Sequence, residues 1–544
     1  MMNNLDWSIV GVYIAALIWL SYRIGKSQSN EEDYYLGSKN VHWLPVGIST
    51  MATQLSTNSM LGAPAFVAFS LGGGLLWLQY ELAVPLSMIF IMIFLVPFYK
   101  RAGVISVYEF LGLRFGVATQ TIMSILFQLA RAFATGVTVY GVSLVLQVCL
   151  DIPIWLAVVL LGVVTIIYDT LGGIRSVILS DVLQMAILLA GVVVSGYYAV
   201  KFSGGLDSVF ENFSHARFKA LDFSGHGLGD GAVFSFLPML VGGFFLYVAY
   251  YGCDQTQVQR QLSTKHVDDA KMALFLNGML RFPIVILYCF LGVAIGAYAA
   301  VNPEFISSLP TREVLTDGIA QTLPNYNTSL PMLVLQRLPH GVIGLIMVAL
   351  FAAAMSSLDS TLNSLSASTV RDIIDRFFKG RRPRSEREEI LLSKGVTVFW
   401  GVVCVTFSFF VGNISDSIIV SINKIGSLAN GSILATFLLA ILTKRATDSG
   451  TVIGIVAGFL VNLILWLFVP QVSWLWWNVT GCAVTFAVGY GASLFFKPAV
   501  EKRIEHLVWR PNKSHTFDHK RNWKIYYGIL TLYFLLMILL LSTF

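Results

Sequence analysis

Residues 351–368, FAAAMSSLDSTLNSLSAS, set seven hydroxyl side chains and one carboxylate inside a long apolar stretch. On a helix, Ala353, Ser356, Ser357, Ser360 and Ser364 share one face about 100° wide, with Asp359 at its edge. A stripe of small residues packs helices closely, and serine bonds readily to the carbonyl four residues back. The carboxylate tips the balance toward a hard monovalent cation, which takes its oxygen ligands from hydroxyls and unwound carbonyls. Further ionisable residues sit inside apolar segments: Glu81, Arg131, Asp181 and Arg281, with Asp254 beside another. Each costs of order 3 kcal/mol or more to insert and so asks for a partner or a function. The two arginines keep their charge and need anions; Glu81 and Asp254 could supply these internally, or a bound solute could.

These residues require a membrane. Of 544 residues 56% are hydrophobic and 12% charged, a balance foreign to soluble domains of this length. Apolar runs able to cross a bilayer number about fourteen by the ~20-residue criterion. They lie near 7–22, 43–69, 75–98, 119–148, 152–170, 177–201, 232–252, 272–300, 340–368, 395–414, 424–442, 450–470, 474–496 and 525–544. Roughly 28 of the basic residues fall in alternate gaps, from YRIGKSQ and YKRAG through QRQLSTKHVDDAK and RFFKGRRPRSER to the stretch near 497–524. That bias predicts both termini outside and basic loops in the cytoplasm. The net charge of +6 is then topology and indicates no nucleic acid. The first segment has no basic start or cleavage site and reads as a retained helix.

The chemistry of an enzyme is missing from the pattern. The five cysteines have no CxxC spacing, and all eight histidines lie in loops or at span ends. Two loops, about 202–231 and 302–338, are long enough for short helices. Two spans are interrupted by polar sequence. GISTMATQLSTNSMLGAPAF carries eight hydroxyl or amide residues between Ser49 and Ser59, and YVAYYGCDQTQVQRQ turns polar at Asp254. They stand five spans apart, as the opening helices of two inverted five-helix repeats would, and broken helices of that kind line transport sites.

The stretches EEDYYLGSKNVHWLPVGIS, YEFLGLRFG, IYDTLGGIRSVILSDVLQ, DQTQVQRQLS and ALFAAAMSSLDSTLNSLSAS resemble the sodium:solute symporter family. The resemblance runs over nearly the whole chain. It implies an all-α membrane protein of the leucine-transporter type: an extra N-terminal helix (1–42), two inverted repeats (43–201 and 202–442) and three C-terminal helices (443–544). It implies a shared sodium site at the carbonyls of Ala52, Leu55 and Ala353 and the hydroxyls of Ser356 and Ser357. A possible second cation site matches Asp181, Asp359 and Ser360, where Asp359 replaces the family's serine. Positions similar to the substrate residues of the sugar-carrying branch are Gln54, Ser59, Glu81, Asp254, Arg281 and Asn423. Of these only Glu81 is identical, and Thr256 stands where a stacking tyrosine is expected. Ser56 in the break joins the set. Gln79 and Arg131 match the sialic-acid branch, whose arginine clamps a carboxylate.

The expected function is sodium-coupled import of a small organic solute by alternating access, foremost an organic anion such as sialic acid or another carboxylate. A sodium/sugar symporter for galactose, glucose or inositol, and a proton-coupled variant using Asp181 and Asp359, stay open. Partners are the solute, sodium and the lipid bilayer, in a monomer or loose oligomer; short loops suggest a bacterial inner membrane. A channel lacks its repeated selectivity segment, and a sensor lacks an output domain.

Overall fold

A computed structural model describes residues 2–55, 57–150, 152–316, 319–378, 384–410, 418–497, 505–509 and 521–543. Helix α1 (Asn4–Gly25) starts in a capping box, Asn3 accepting from the Asp6 amide while Asp6 accepts from the Asn3 amide. The fully buried Asp6 also accepts from the amides of Gly341 and Gly344 at 2.7 and 2.9 Å, which pins α1 to the start of a helix more than three hundred residues away.

The first interrupted span forms α2 (Trp43–Gln54) and α3 (Thr57–Phe69), with Leu55 leaving the helix at φ −83°, ψ 63°. A helical stretch, α4 (Leu75–Ala102), and α5 (Val117–Leu150) follow. Helix α6 (Ile154–Phe202) has 49 residues, roughly 70 Å at 1.5 Å per residue and twice what one bilayer needs. It divides at Gly173, whose φ of 56° and ψ of −169° no helix contains. A π-turn at Pro238–Gly242 leads into α7 (Gly243–Cys253). Asp254 is extended (φ −86°, ψ 125°), and α8 (Gln255–Leu262) restarts with the Asp254 side chain as its cap.

Helix α9 (Val267–Val301) precedes a segment with short helices and a hairpin, β1 (Thr311–Thr316) antiparallel to β2 (Ile319–Pro324). The sequence pointed to helices alone in this loop. Then come α10 (Val342–Ser368), α11 (Glu386–Ser408), α12 (Ile418–Leu442), α13 (Asp448–Phe468), α14 (Trp474–Ser493) and α15 (Trp523–Leu541). Among the described residues ten helices are long and apolar enough to cross a membrane. The remaining expected segments occur as the second half of α6, the two broken spans, and the tryptophan- and glycine-rich α14.

Helix α10 is central. Apart from Val342, Leu345 and Ser357 all of it is buried, as befits a helix surrounded by others. Its hydroxyl stripe is used for contact: Ser360 meets Thr53 at 3.2 Å, Ser364 meets Thr256 at 3.0 Å and Ser366 meets Tyr35 at 2.8 Å. Both broken spans therefore lean on one polar seam. Elsewhere the buried Arg114 donates to the carbonyls of Ala440, Thr443 and Ala446, closing the C-terminal end of α12.

The kink in α6 yields a prediction. A Cβ on Gly173 would lie 2.7 Å from Gln28 Nε2 and from the Tyr34 carbonyl, at a backbone angle that L side chains rarely adopt. Gly173→Ala should cost about 1–3 kcal/mol and lower the thermal unfolding temperature of the detergent-purified protein. An unchanged unfolding temperature would show that the kink is not constrained.

Candidate functional site

A cavity of about 160 Å³ lies where the two broken spans meet α4, α5, α9 and α12. Gln54, Ser59, Glu81, Arg131, Asp254, Arg281 and Asn423 all line it, beside Trp77, Tyr250 and Ser357. Gln79 does not. Its amide, fully buried, donates to the Phe234 carbonyl and accepts from the Asp222 amide at 3.2 Å, so it ties down the loop before α7. Ser56 lies outside the described residues.

Both cavity arginines have internal acids. Arg281 grips Glu81 with two nitrogens, Nε to Oε2 at 2.7 Å and Nη2 to Oε1 at 3.1 Å, and Tyr247 donates to Oε1 at 3.1 Å. The side chains are 7% and 1% exposed, a buried, fork-shaped pair that leaves Arg281 Nη1 without a hydrogen-bond partner among the described residues. Arg131 differs. Among the described residues its one hydrogen bond runs from Nη2 to Asp254 Oδ2, its guanidinium stacks 5.2 Å from the Tyr250 ring, and 17% of the side chain stays exposed. Asp254 meanwhile accepts from the Thr256 amide at 2.8 Å, so the break, the cap of α8 and the arginine are joined at one carboxylate.

At the other end of the first break, hydroxyls and carbonyls gather. Ser356 donates to the Ala353 carbonyl at 3.1 Å, and Ser357 reaches the carbonyls of Thr53 and Ala353 at 3.3 and 3.5 Å. Ala52 and Leu55 flank this contact on α2, and Leu55 ends the helix there. Breaking a helix frees carbonyls that have no amide to accept from. Beside serine hydroxyls such carbonyls suit a monovalent cation held without a carboxylate.

The neighbourhood of Asp181, Asp359 and Ser360 holds a residue the sequence reading assigned to a cytoplasmic loop. Arg260 is fully buried, with Nη2 on Asp181 Oδ2 at 3.0 Å and on Ser360 Oγ. Its Nε reaches Ser49 Oγ at 2.6 Å and its Nη1 the Thr256 carbonyl at 2.6 Å. A tethered guanidinium thus sits between two of the three groups expected to hold a second cation. Asp359 turns to Tyr168, which donates to it at 2.6 Å. Asp169 was also missed; it is fully buried, and among the described residues neither of its oxygens has a hydrogen-bond partner. The signal for Arg260 was available: QTQVQRQL follows a break, where a half-helix continues at membrane depth.

Interrupted helices whose breaks meet serine hydroxyls, backbone carbonyls and a polar cavity are the architecture of a secondary transporter. The comparisons make the assignment specific. The family model described as "sodium:solute symporter family" matches residues 34–458, and the chain belongs to that family. It is 30% identical over 527 residues to the sodium/sialic acid symporter NanT of Aliivibrio fischeri, covering 95% of this chain and 99% of that one. Sodium-coupled monocarboxylate transporter 1 of Homo sapiens is 29% identical over 456 residues, 83% of this chain and 71% of that protein. Among solved structures, a Na+-coupled sialic acid symporter in a substrate-bound outward-open state superposes with a TM-score of 0.79 at 25% identity, covering 92% and 99% of the two chains. The protein is a sodium-coupled symporter, with sodium as cargo, and not an enzyme.

Removing one partner of a buried pair strands the other charge at a cost of about 3–5 kcal/mol, whereas removing both is far milder. Arg260→Met should therefore unfold at a clearly lower temperature in detergent than Arg260→Met/Asp181→Leu. Equal losses would mean that the pair carries no coupling energy.

Proposed function

We propose that the protein imports a small organic anion, with a carboxylate of the sialic-acid or monocarboxylate kind as its recognised group. One observation carries the reading: Arg131 is a cavity arginine with a single hydrogen bond among the described residues and is still partly exposed. A solute carboxylate can take up its remaining donors as a two-point clamp, which a guanidinium does better than any other side chain. Arg281, closed on Glu81, is the wall beside it. The named substrates of the relatives, sialic acid and monocarboxylates, both carry such a carboxylate. A neutral sugar or polyol is the second reading, favoured by the internal pairing of both arginines and by the amides of Gln54 and Asn423 in the lining.

In this reading sodium is bound by the carbonyls of Ala52, Leu55 and Ala353 with Ser356 and Ser357, and the solute by the cavity above the same break. Helices α2–α6 and the stretch from α7 to α12 act as two inverted repeats that rock about the site, flanked by α1 and by α13–α15. Both termini lie outside a bacterial inner membrane, with the basic loops in the cytoplasm. Each sodium entering down the potential supplies about 2.3 kcal/mol per 100 mV before its gradient is added.

Two measurements follow. In proteoliposomes with an inward sodium gradient, Arg131→Ala should lower uptake of labelled N-acetylneuraminate or a short monocarboxylate by about ten- to a hundredfold, the worth of a charged hydrogen bond. Sodium-driven uptake of galactose or myo-inositol that survives this change would instead select the neutral-solute reading. Ser357→Ala, which removes one sodium oxygen, should raise the sodium concentration for half-maximal uptake about tenfold. An unshifted sodium curve would remove Ser357 from the ion site.

A further inference from the structure

Away from the transport cavity, a second pocket of about 340 Å³ opens where α4 ends and α9 begins, lined by Lys39, Lys100, Lys265 and His266 over a floor of Val104 and Leu262. Its charged lining is three lysines and a histidine, with no carboxylate among the lining residues. The acids near it include Glu32, 3.4 Å from Lys39, and Asp268 and Asp269 in the first turn of α9. Among the described residues Lys265 has no acidic partner. The pocket stands at the end of the span Leu75–Ala102 and the start of the span Val267–Val301, beside the basic stretches YKRAG and QRQLSTKHVDDAK; span ends flanked by lysine and arginine are where anionic headgroups are met. The positive end of the 35-residue helix α9 adds to the lysine charge.

The backbone holds this pocket open. Ser38 and Lys39, at φ 59° and 50°, are the two non-glycine residues with positive φ among the described residues. Such a conformation is costly for residues with a Cβ, and it persists where surrounding contacts enforce it, often at binding sites. The contacts are present: Ser38 donates to Asp33, and the Val41 amide donates to the Ser263 carbonyl at 3.1 Å. Lys39 is thereby brought beside the segment that carries Lys265. From the far wall Lys100 donates to the carbonyls of Leu262, at 3.1 Å, and Thr264. Those carbonyls terminate α8, the half-helix that bears Arg260.

We infer that this pocket binds the phosphate of an anionic membrane lipid, with Lys39, Lys265 and His266 as its ligands and Lys100 linking it to the end of α8. The shared chemistry is a phosphate anion, and the membrane boundary selects a headgroup over a soluble ion. Occupancy neutralises cations that otherwise repel one another across the pocket, and it steadies the segment that ends the second broken span.

The test is native mass spectrometry and thermal unfolding of the full-length protein in detergent, with added phosphatidylglycerol, phosphatidylcholine or inorganic phosphate. It needs no transported solute, so it stands apart from the substrate reading. Wild type should retain phosphatidylglycerol and gain unfolding temperature from it, and Lys39→Gln/Lys265→Gln should lose affinity roughly fivefold per lysine removed. Arg23→Gln/Lys26→Gln, the same charge change on the same face outside the pocket, should keep the wild-type response. Equal loss in both double variants would reduce the effect to overall charge and overturn the site. So would equal stabilisation by phosphatidylcholine, and stabilisation by inorganic phosphate alone would overturn the lipid as its source. Should the double variant fold poorly, Lys265→Gln alone, at an exposed position, must still weaken phosphatidylglycerol retention for the inference to stand.

Discussion

A guanidinium at bilayer depth cannot shed its charge, so each one dictates where a carboxylate must be. Among the described residues three arginines impose that condition: Arg131 on α5 with Asp254, Arg260 on α8 with Asp181, and Arg281 on α9 with Glu81. Two of the pairs join two different helices and the third ties α5 to the extended residue between α7 and α8, so two of the three hold the second broken span. Arg131 fastens its break point, while Arg260 ties the restarted half-helix to α6, to Ser49 of α2 and to Ser360 of α10. The second interruption is thus enforced by electrostatics as well as by chain propensity.

From that constraint the transport site follows. Holding the first span broken at Leu55 leaves carbonyls without amide partners, and α10 supplies hydroxyls opposite them. In the proposed reading, cation and solute share that one broken element, the ion on the carbonyls and hydroxyls at the break and the solute in the polar cavity beside it. A ligand that fixes the break in one geometry lowers the cost for the second, which is a coupling free energy between two sites. The three arginine pairs differ in how fully they are closed. The two-nitrogen grip of Arg281 and the four hydrogen bonds of Arg260 build walls, whereas Arg131 makes one hydrogen bond among the described residues and faces the cavity, the surface that the proposed reading uses for recognition.

Much of this was legible in the chain. The hydroxyl stripe of 351–368, the polar interruptions near Ser56 and Asp254, and the intramembrane Glu81 and Arg281 all announced themselves because charge and amide groups are costly in lipid. Arg260 and Asp169 did not. Arg260 follows apolar sequence that ends at Cys253, and a hydropathy reading takes the polar run after it for a loop, although a broken helix continues through it. Gln79 was misplaced for a different reason: its neighbour Glu81 faces the cavity, and two residues along a helix turn a side chain to the opposite face. The pairing of Arg131 with Asp254 joins positions 123 residues apart, a relation that only the fold supplies. The hairpin at 311–324 escaped notice because its strands are short and lie in a loop between two spans.

The central claim is that one broken helix couples ion and solute. The direct measurement is isothermal titration of the purified protein with N-acetylneuraminate at saturating and at zero sodium, and of sodium with and without that solute. The account predicts that sodium raises solute affinity and that the solute raises sodium affinity by the same factor, as linkage requires when both bind one element. Tight binding of each with no effect on the other would contradict it.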